Sequence, residues 1–410
     1  MLSEKPTRAL CQKLLSFVTA EDAEVSVTSQ DFSHLRFAAN GFTTSGRRED
    51  ASAHVTVWIK KKQGSASAND LDDASLRGAV EQAEQIARLA PEDKEYLPTL
   101  GAQKYKPSSD YVEATANLSL ASRARSIDEI IRSCEKNNLI GAGFHHARGS
   151  ASGSATKNGN YYFHRSSLAS LSVTARTPDG GSSGYFLRNH FDIAKLNTRH
   201  IGEQAIQKAL HSKDPRLLEP GTYPVILEAQ AADDLIRFSF DARSADEGRS
   251  PYSGSGGKTK VGERLFDERI NFYSDPWHPE LPASPVAQDG IPAQKIYFIR
   301  KGVLENLQYS RYWAHEKGKE PTPGPVNSIL ESSGPTQSLE EMIGSMKRGL
   351  LVSRFWYIRG VDPRSVLYTG LTRGRQRVIL VGEEKALGIA VKQTGNLHRW
   401  SGLLARLQGN

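Results

Sequence analysis

Acidic side chains are dense in the segment 231–248, which reads AADDLIRFSFDARSADEG. It holds five acids, two arginines and two phenylalanines, but no histidine. Carboxylates at this density could hold a hard cation, act as a general acid/base pair, or decorate the wet side of a helix. The spacing of the neighbouring residues decides between these roles.

The segment has the periodicity of an amphipathic helix. Its apolar residues recur at steps of four, three, four and three, which predicts one buried face: Ala231, Leu235, Phe238, Ala242 and Ala245. A second face carries Asp233, Arg237 and Asp241 at i, i+4 and i+8, an ordinary ion-pair ladder. Because arginines already interleave with the acids, the pattern favours a structural helix over a catalytic or metal-binding array.

The histidines do not form the pattern of a catalytic or metal-binding site. His145 and His146 are adjacent, so on a strand they point to opposite faces and cannot share a metal ion. His315-Glu316 begins like a zinc H-E-x-x-H motif, but Lys319 occupies the second ligand position. His278 lies between Trp277 and Pro279 in a proline-rich coil, where surface packing is the expected role.

Nucleotide and serine-hydrolase motifs are incomplete. The loop SGSGGKTK (253–260) ends like a Walker loop, but Tyr252 stands five positions before Gly257, where the motif requires glycine. No G-x-S-x-G elbow accompanies the serines. We therefore expect neither activity.

The most unusual stretch is LLVSRFWYIRGVDPRSVLYTGLTRG (350–374), which combines recurring arginines with three consecutive aromatics. One interpretation is a buried strand and a tight turn, with arginines paired to acids elsewhere. The other is a groove in which arginines and aromatics meet an extended peptide. The candidate groove residues are Arg354, Tyr357, Arg359, Asp362, Arg364 and Arg373.

Composition excludes several classes of protein. The chain has 410 residues and a net charge of +7, with basic pairs dispersed along it, which argues against specific nucleic-acid binding. Only Cys11 and Cys134 occur, so a disulfide framework and a cysteine-rich zinc site are excluded. The N-terminus does not resemble a signal peptide, and no apolar run approaches a membrane span, so we expect a cytoplasmic protein.

Strand-like and helix-like segments alternate along the chain. Helices are predicted over 6–18, 72–90, 119–136, 199–211 and 338–349, the last with a capping box of Ser338 and Glu341. Strands are predicted at 23–29, 34–40, 54–61, within 139–176, at TYPVILE (222–228), in a hairpin at IYFIRKGVL, and in runs between 350 and 392. The Glu219-Pro220-Gly221 break predicts two domains, 1–218, with two strand-helix subregions, and 219–410.

The order of several segments resembles the TldD/PmbA family, once described as modulators of DNA gyrase. The marks are AEVSV, LRFAANG, SASANDLDD, SVTARTPDGGSSGY, PGTYPVILEAQAADDLI, GVLENLQYSRYWA and SLEEMIGSMKRGLLVSRFWYIRGVDPRSVLYTGLTRG. This resemblance implies an α+β protein, with an α/β N-terminal domain and a β-rich C-terminal domain, and dimers that enclose a peptide chamber. Active members look like zinc metallopeptidases, with an H-E-x-x-x-H helix just after the strand that TYPVILE matches and a later cysteine as a further ligand.

This chain departs from that pattern. No histidine occurs between His211 and His278, and no cysteine follows Cys134. The resemblance therefore implies a TldE (PmbA)-type subunit that binds no cofactor itself. Zinc is expected only in a TldD-type H-E-x-x-x-H partner, with which the chain would form a heterodimer acting on unfolded peptides. A homodimer remains open.

Two other functions stay open at this point. A stand-alone peptidase would use a different site, with Asp233, Asp234, Asp241, Asp246 and Glu247 as first suspects. A non-enzymatic module would bind peptides, or a nucleic-acid-associated protein, through the arginine-aromatic stretch.

Overall fold

The computed structural model describes residues 1–214, 217–236 and 240–355. Within them the chain separates by contact density into two units, described here one at a time: a large unit of residues 1–222 and 240–346, and a small unit of residues 223–236 and 347–355. The proposed boundary between 218 and 219 stays a prediction.

The large unit begins with one antiparallel sheet. In the part of the chain that is described, six strands follow the order β3-β2-β1-β4-β5-β6. Their bounds are β1 (Asp22–Ala38), β2 (Gly41–Ile59), β3 (Lys62–Ala68), β4 (Ile140–Thr156), β5 (Tyr161–Arg176) and β6 (Ser183–His190). With helices packed on this sheet, the predicted α+β class is confirmed.

Helices cover one face of the sheet, because alternate strand residues are apolar on that face. Along β1, Ala23, Val25 and Val27 are fully buried there. The helices are α1 (Glu4–Phe17), α2 (Asp73–Leu89), α3 (Glu113–Ala116), α4 (Leu120–Lys136) and α5 (Thr198–His211). Side chains cap two of these helices: that of Asp72 accepts from the first-turn amides of α2, and that of Ser119 from the amide of Ser122 in α4.

The sheet and its helices form two similar halves. One runs α1-β1-β2-β3-α2 and the other α4-β4-β5-β6-α5, and they meet where β1 pairs antiparallel with β4. Each half has its own apolar core. The sequence shows an alternation of strands and helices in both halves but no tandem repeat, so only the tertiary structure makes this duplication visible.

The strands are longer than predicted. The expected strands 23–29 and 34–40 are parts of the single strand β1, and NYYFHRSS and LASLSVTAR are both parts of β5. Polar residues such as Asp31 and Ser33 interrupt the apolar alternation, yet they continue the hydrogen-bonded pairing with β2 and β4. Pairing with neighbours, which sequence periodicity does not reveal, extends these strands.

The rest of the large unit is a smaller antiparallel sheet with short helices. Its core stacks the ring of Phe240 on those of Tyr252, Phe272 and Phe298, with centroids 5.2, 5.2 and 4.6 Å away. The predicted hairpin at IYFIRKGVL is confirmed, and so is the capping box of Ser338 and Glu341. The elements are α7 (Ala242–Asp246), β8 (Ile270–Ser274), β9 (Ile296–Arg300), β10 (Val303–Leu304), α8 (Arg311–Lys317), β11 (Ile329–Ser332) and α9 (Leu339–Ser345).

The small unit is built on two parallel strands. They are β7 (Val225–Leu227) and β12 (Leu350–Val352), and α6 (Ala229–Ile236) follows β7 directly. The predicted strand at 222–228 is therefore present but short. No helix among the described residues is long and apolar enough to cross a bilayer.

Candidate functional site

The segment after β7 is where the resemblance places a zinc-binding helix in active relatives. Leu227 at the end of β7 pairs with Val352 of β12, and the amide of Glu228 donates to the carbonyl of Val352 over 3.0 Å. This pairing starts α6 beside the chain that leaves β12. The Asp234 carboxylate of α6 then accepts a hydrogen bond of 3.2 Å from the amide of Phe355.

The donors of this segment do not fit the zinc site of the family. The polar side chains from the end of β7 through α6 are carboxylates and one amide (Glu228, Gln230, Asp233 and Asp234). Catalytic zinc sites take three protein ligands, drawn mostly from histidine nitrogen and cysteine sulfur, with a carboxylate oxygen in some. Among the described residues, no group of three or more His, Cys, Asp or Glu side chains is arranged to hold a metal ion. We therefore derive no metal-assisted step for this chain.

Arg354 is the one candidate groove residue within the described part of the chain. It is half-buried and lies two residues after the end of β12, in the same small unit as α6. The other five candidates, Tyr357, Arg359, Asp362, Arg364 and Arg373, lie outside the described residues, as do the strands expected beyond 355 apart from β12. The groove itself stays a prediction.

The expectation of one continuous helix through 231–248 is wrong. Helix α6 ends at Ile236, and α7 begins at Ala242 after an extended residue. Asp241 is the N-cap of α7, accepting from the amide of Ser244 over 2.8 Å, and also forms a β-bridge with Gln308. This pairing with a distant segment interrupts the helix, so Asp241 is not part of an i, i+4 ladder.

The remaining acids of 241–248 also have structural partners. Asp246 accepts a hydrogen bond of 2.8 Å from the indole nitrogen of Trp313. Glu247 pairs with Arg249 and Arg243, and these two partners lower the pKa of its carboxyl. These contacts hold α7 against α8 and the following loop, which accounts for the acids without a catalytic role.

The adjacent histidines lie on opposite faces of their strand, as predicted. His145 is buried on the helix-covered face of β4, and His146 is half-buried on the opposite face. Burial first, and then the charge of Arg123, lowers the pKa of His145 to about 4. His315 lies on α8 beside Glu316, and its ring is mostly exposed. None of them belongs to a metal cluster within the described residues.

The glycine-serine loop is a local turn. The amide of Gly254 donates to the carbonyl of Lys258 over 2.7 Å, and Ser253 bridges to Thr259. This closed turn precedes no helix that could receive a phosphate at its N-terminus, in agreement with the broken Walker motif.

One feature of the large unit is absent from the sequence-based candidates. A cavity of about 480 Å³ lies beside the first turn of α4, bordered by Asp31, Ser33, Arg47 and Arg123 among others. The sequence contains one indication of this cavity. Arg123 is charged, yet the helical periodicity of α4 places it on the buried face together with Ile127 and Ile130.

Comparison with known proteins identifies the family. Residues 220–399 match the PmbA/TldA metallopeptidase C-terminal domain, and residues 23–87 match PmbA/TldA metallopeptidase domain 1. The chain is 21% identical over 364 residues to the Metalloprotease PmbA homolog of Haemophilus influenzae, covering 85% of this chain and 77% of that protein.

Solved structures share the fold. TldE from Thermococcus kodakarensis superposes with a TM-score of 0.73 at 20% identity, covering 85% of this chain and 82% of that one. A candidate modulator of a DNA gyrase from Thermotoga maritima gives 0.72 at 19% identity over the same shares. The resemblance seen in the sequence is thus confirmed, and the chain belongs to the TldD/PmbA family of metallopeptidase-like proteins.

Proposed function

We propose that this chain is a TldE-type, non-catalytic subunit of a cytoplasmic TldD-type metallopeptidase complex that degrades unfolded peptides. One observation carries the proposal. The chain has no histidine between His211 and His278 and no cysteine after Cys134, although it belongs to a family whose active members resemble zinc enzymes.

The local structure supports a binding role for this region. The Asp234 side chain accepts from a backbone amide at position 355, which ties α6 to the start of the arginine-aromatic stretch. Arg354 lies two residues after the end of β12 in the same small unit. In this proposal the zinc and its activated water belong to the partner subunit, and this chain helps to present an extended peptide to them.

The proposal is tested by reconstitution. The chain and an H-E-x-x-x-H family member from the same source are purified separately and mixed, and zinc content and cleavage of an unfolded peptide are measured. We expect a one-to-one complex, zinc only with the partner, and cleavage only by the mixture. The matched control is a partner whose motif glutamate is changed to glutamine, which should assemble but not cleave.

Two outcomes would contradict this. Stoichiometric zinc together with peptide cleavage by the purified chain alone would make it an independent peptidase. Failure to associate, with a dimer mass for the isolated chain by light scattering, would favour a homodimer. The first alternative has less support, since Asp241, Asp246 and Glu247 are engaged in structural contacts.

The peptide groove is tested separately. A triple variant, Arg354, Arg359 and Arg364 each to alanine, should lose capture of an unfolded peptide by the reconstituted complex. Its control removes the same charge from three exposed, ion-paired arginines elsewhere, Arg249, Arg264 and Arg269. Equal capture by both triple variants would rule out the groove while leaving subunit association intact.

A further inference from the structure

The cavity beside α4 is enclosed by two parts of the large unit that are distant in sequence. The hairpin of β1 and β2 contributes Asp31, Ser33 and residues 45–47, and the segment 116–120 with Arg123 contributes the opposite wall. Its volume of about 480 Å³ is within the range of small-molecule sites. It therefore has room for more than a single ordered water.

Arg123 is a buried cation with an incomplete set of partners. Its side chain is at the cavity wall and the residue is only 3% exposed. One terminal guanidinium nitrogen, Nη1, donates to the hydroxyl of Ser33 over 2.6 Å, whereas the buried Nε has no acceptor in the described part of the chain. A buried guanidinium normally has its donors satisfied, by a carboxylate above all, so this one keeps an unused donor.

The nearest carboxylate, Asp31, acts on Arg123 through its charge but not through a hydrogen bond among the described residues. Both oxygens of Asp31 accept from the guanidinium of Arg47, at 3.0 and 2.6 Å, and among the described residues no ion pair reaches Arg123. His145 is close enough for Arg123 to lower its pKa, and with a pKa of about 4 it is neutral near pH 7. Within the described ranges, neither ring nitrogen of His145 has a hydrogen-bond partner.

The helix end adds positive potential at the same place. Helix α4 has 17 residues, and its first turn carries no acid, although acids are favoured there. The amides of the first turn of α4 have no acceptors within the helix, and of these the Ser119 hydroxyl accepts from the amide of Ser122 alone among the described residues. Ser119, Leu120 and Arg123 thus bring the N-terminal end of α4 and the guanidinium to one cavity.

We propose that this cavity is a binding site for a small ligand with an oxyanion group, phosphoryl or carboxylate, held by Arg123 and the N-terminus of α4. The remaining volume accommodates the rest of the ligand between residues 45–47 and 116–118. This site lies in the large unit and does not depend on the proposed peptidase role.

Anion-dependent stability of the full chain tests the site. Thermal unfolding is followed in inorganic phosphate, acetate and chloride at equal ionic strength, and binding is measured by calorimetry. We expect a saturable rise in melting temperature with phosphate or acetate beyond that in chloride. The stronger of the two identifies the group as phosphoryl or carboxylate.

Substitutions assign the effect to the cavity. Arg123→Gln should abolish the anion-specific rise, and Arg123→Lys should retain part of it. Arg125→Gln is the matched control, because Arg125 is exposed on the same helix and the charge change is identical. Should Arg123→Gln fail to fold, Ser45→Trp narrows the exposed rim without touching the buried layer and should weaken binding.

Three results would overturn the proposal. The first is equal melting temperatures of the wild-type chain in phosphate, acetate and chloride. The second is an anion-specific rise that persists unchanged in the Arg123→Gln or Ser45→Trp variant. The third is an equal loss in the Arg125→Gln control, which would show a general charge effect.

Discussion

Two glycines set the distance between the sheet and its outer helices. A Cβ atom at Gly64 of β3 would lie 2.0 Å from the carbonyl oxygen of Ala83 and 2.4 Å from the amide nitrogen of Ala87, both in α2. At Gly184 of β6 the corresponding distances to α5 are 2.1 Å, to the oxygen of Ala205, and 2.5 Å, to the nitrogen of Ala209. The two halves thus use the same close packing of a strand on helix backbone.

The change Gly64→Ala should therefore be costly. Contacts under 3.0 Å are essentially never made by real Cβ atoms, and here the obstacle is backbone, which cannot rotate away. Helix α2 must move by about 1 Å or more, although Leu76, Val80 and Ala83 are almost completely buried. Overpacking of a core of this kind costs about 2–3 kcal/mol of unfolding free energy.

Denaturation with urea, followed by far-ultraviolet circular dichroism, measures this loss. Gly78→Ala is the matched control: Gly78 lies on the exposed side of the same helix, with no atom within 4 Å of its built Cβ. It should raise stability by about 1 kcal/mol, since alanine is the better helix former. Gly184→Ala should repeat the loss seen for Gly64→Ala.

Two patterns of results would contradict this packing of strand on helix. If Gly64→Ala were as stable as the wild-type chain, or gained stability as Gly78→Ala does, β3 and α2 could not be packed as closely as the structure has them. A loss at Gly64 without one at Gly184 would refute the equivalence of the two halves.

Three further changes are predicted. The pKa of His145 is lowered from 6.5 to about 4, so the stability that comes with its neutral form is complete above pH 6.5, and about 3 kcal/mol of it is lost as the pH falls to 4. The variant His145→Leu should flatten this pH dependence of the urea midpoint, whereas His315→Leu, at an exposed histidine, should leave it unchanged. Glu84 accepts from the amide and hydroxyl of Thr19 at 2.6 and 2.7 Å, so Glu84→Ala should cost about 2 kcal/mol in the same assay, and an unchanged midpoint would contradict the role of these bonds. Phe298 is fully buried under stacked rings, and Phe298→Ala should cost about 4 kcal/mol in thermal unfolding; a much smaller loss would mean that this core rearranges freely.

Helix positions could be predicted because their signals are local. The caps at Asp72, Ser119 and Ser338 act on amides two or three residues away, and the apolar faces repeat within a few turns. Strand lengths could not, because β1 continues through Asp31 by pairing with residues of β2 and β4 up to about 120 positions away. The break at Asp241 has the same origin, a bridge to Gln308.

By itself the sequence determined the family and the lack of the zinc-binding histidines and of a late cysteine, since these depend only on which residues are present and in what order. Tertiary structure alone decided that Asp241 is a helix cap, that Gly64 and Gly184 meet helix backbone, and that Arg123 is buried beside a cavity with its Nε unpartnered among the described residues. The physical reason is that burial and hydrogen-bond partners are supplied by segments remote in the chain. The sequence shows that a charged residue, Arg123, lies on the inward face of a helix, but only the fold shows which groups surround its charge.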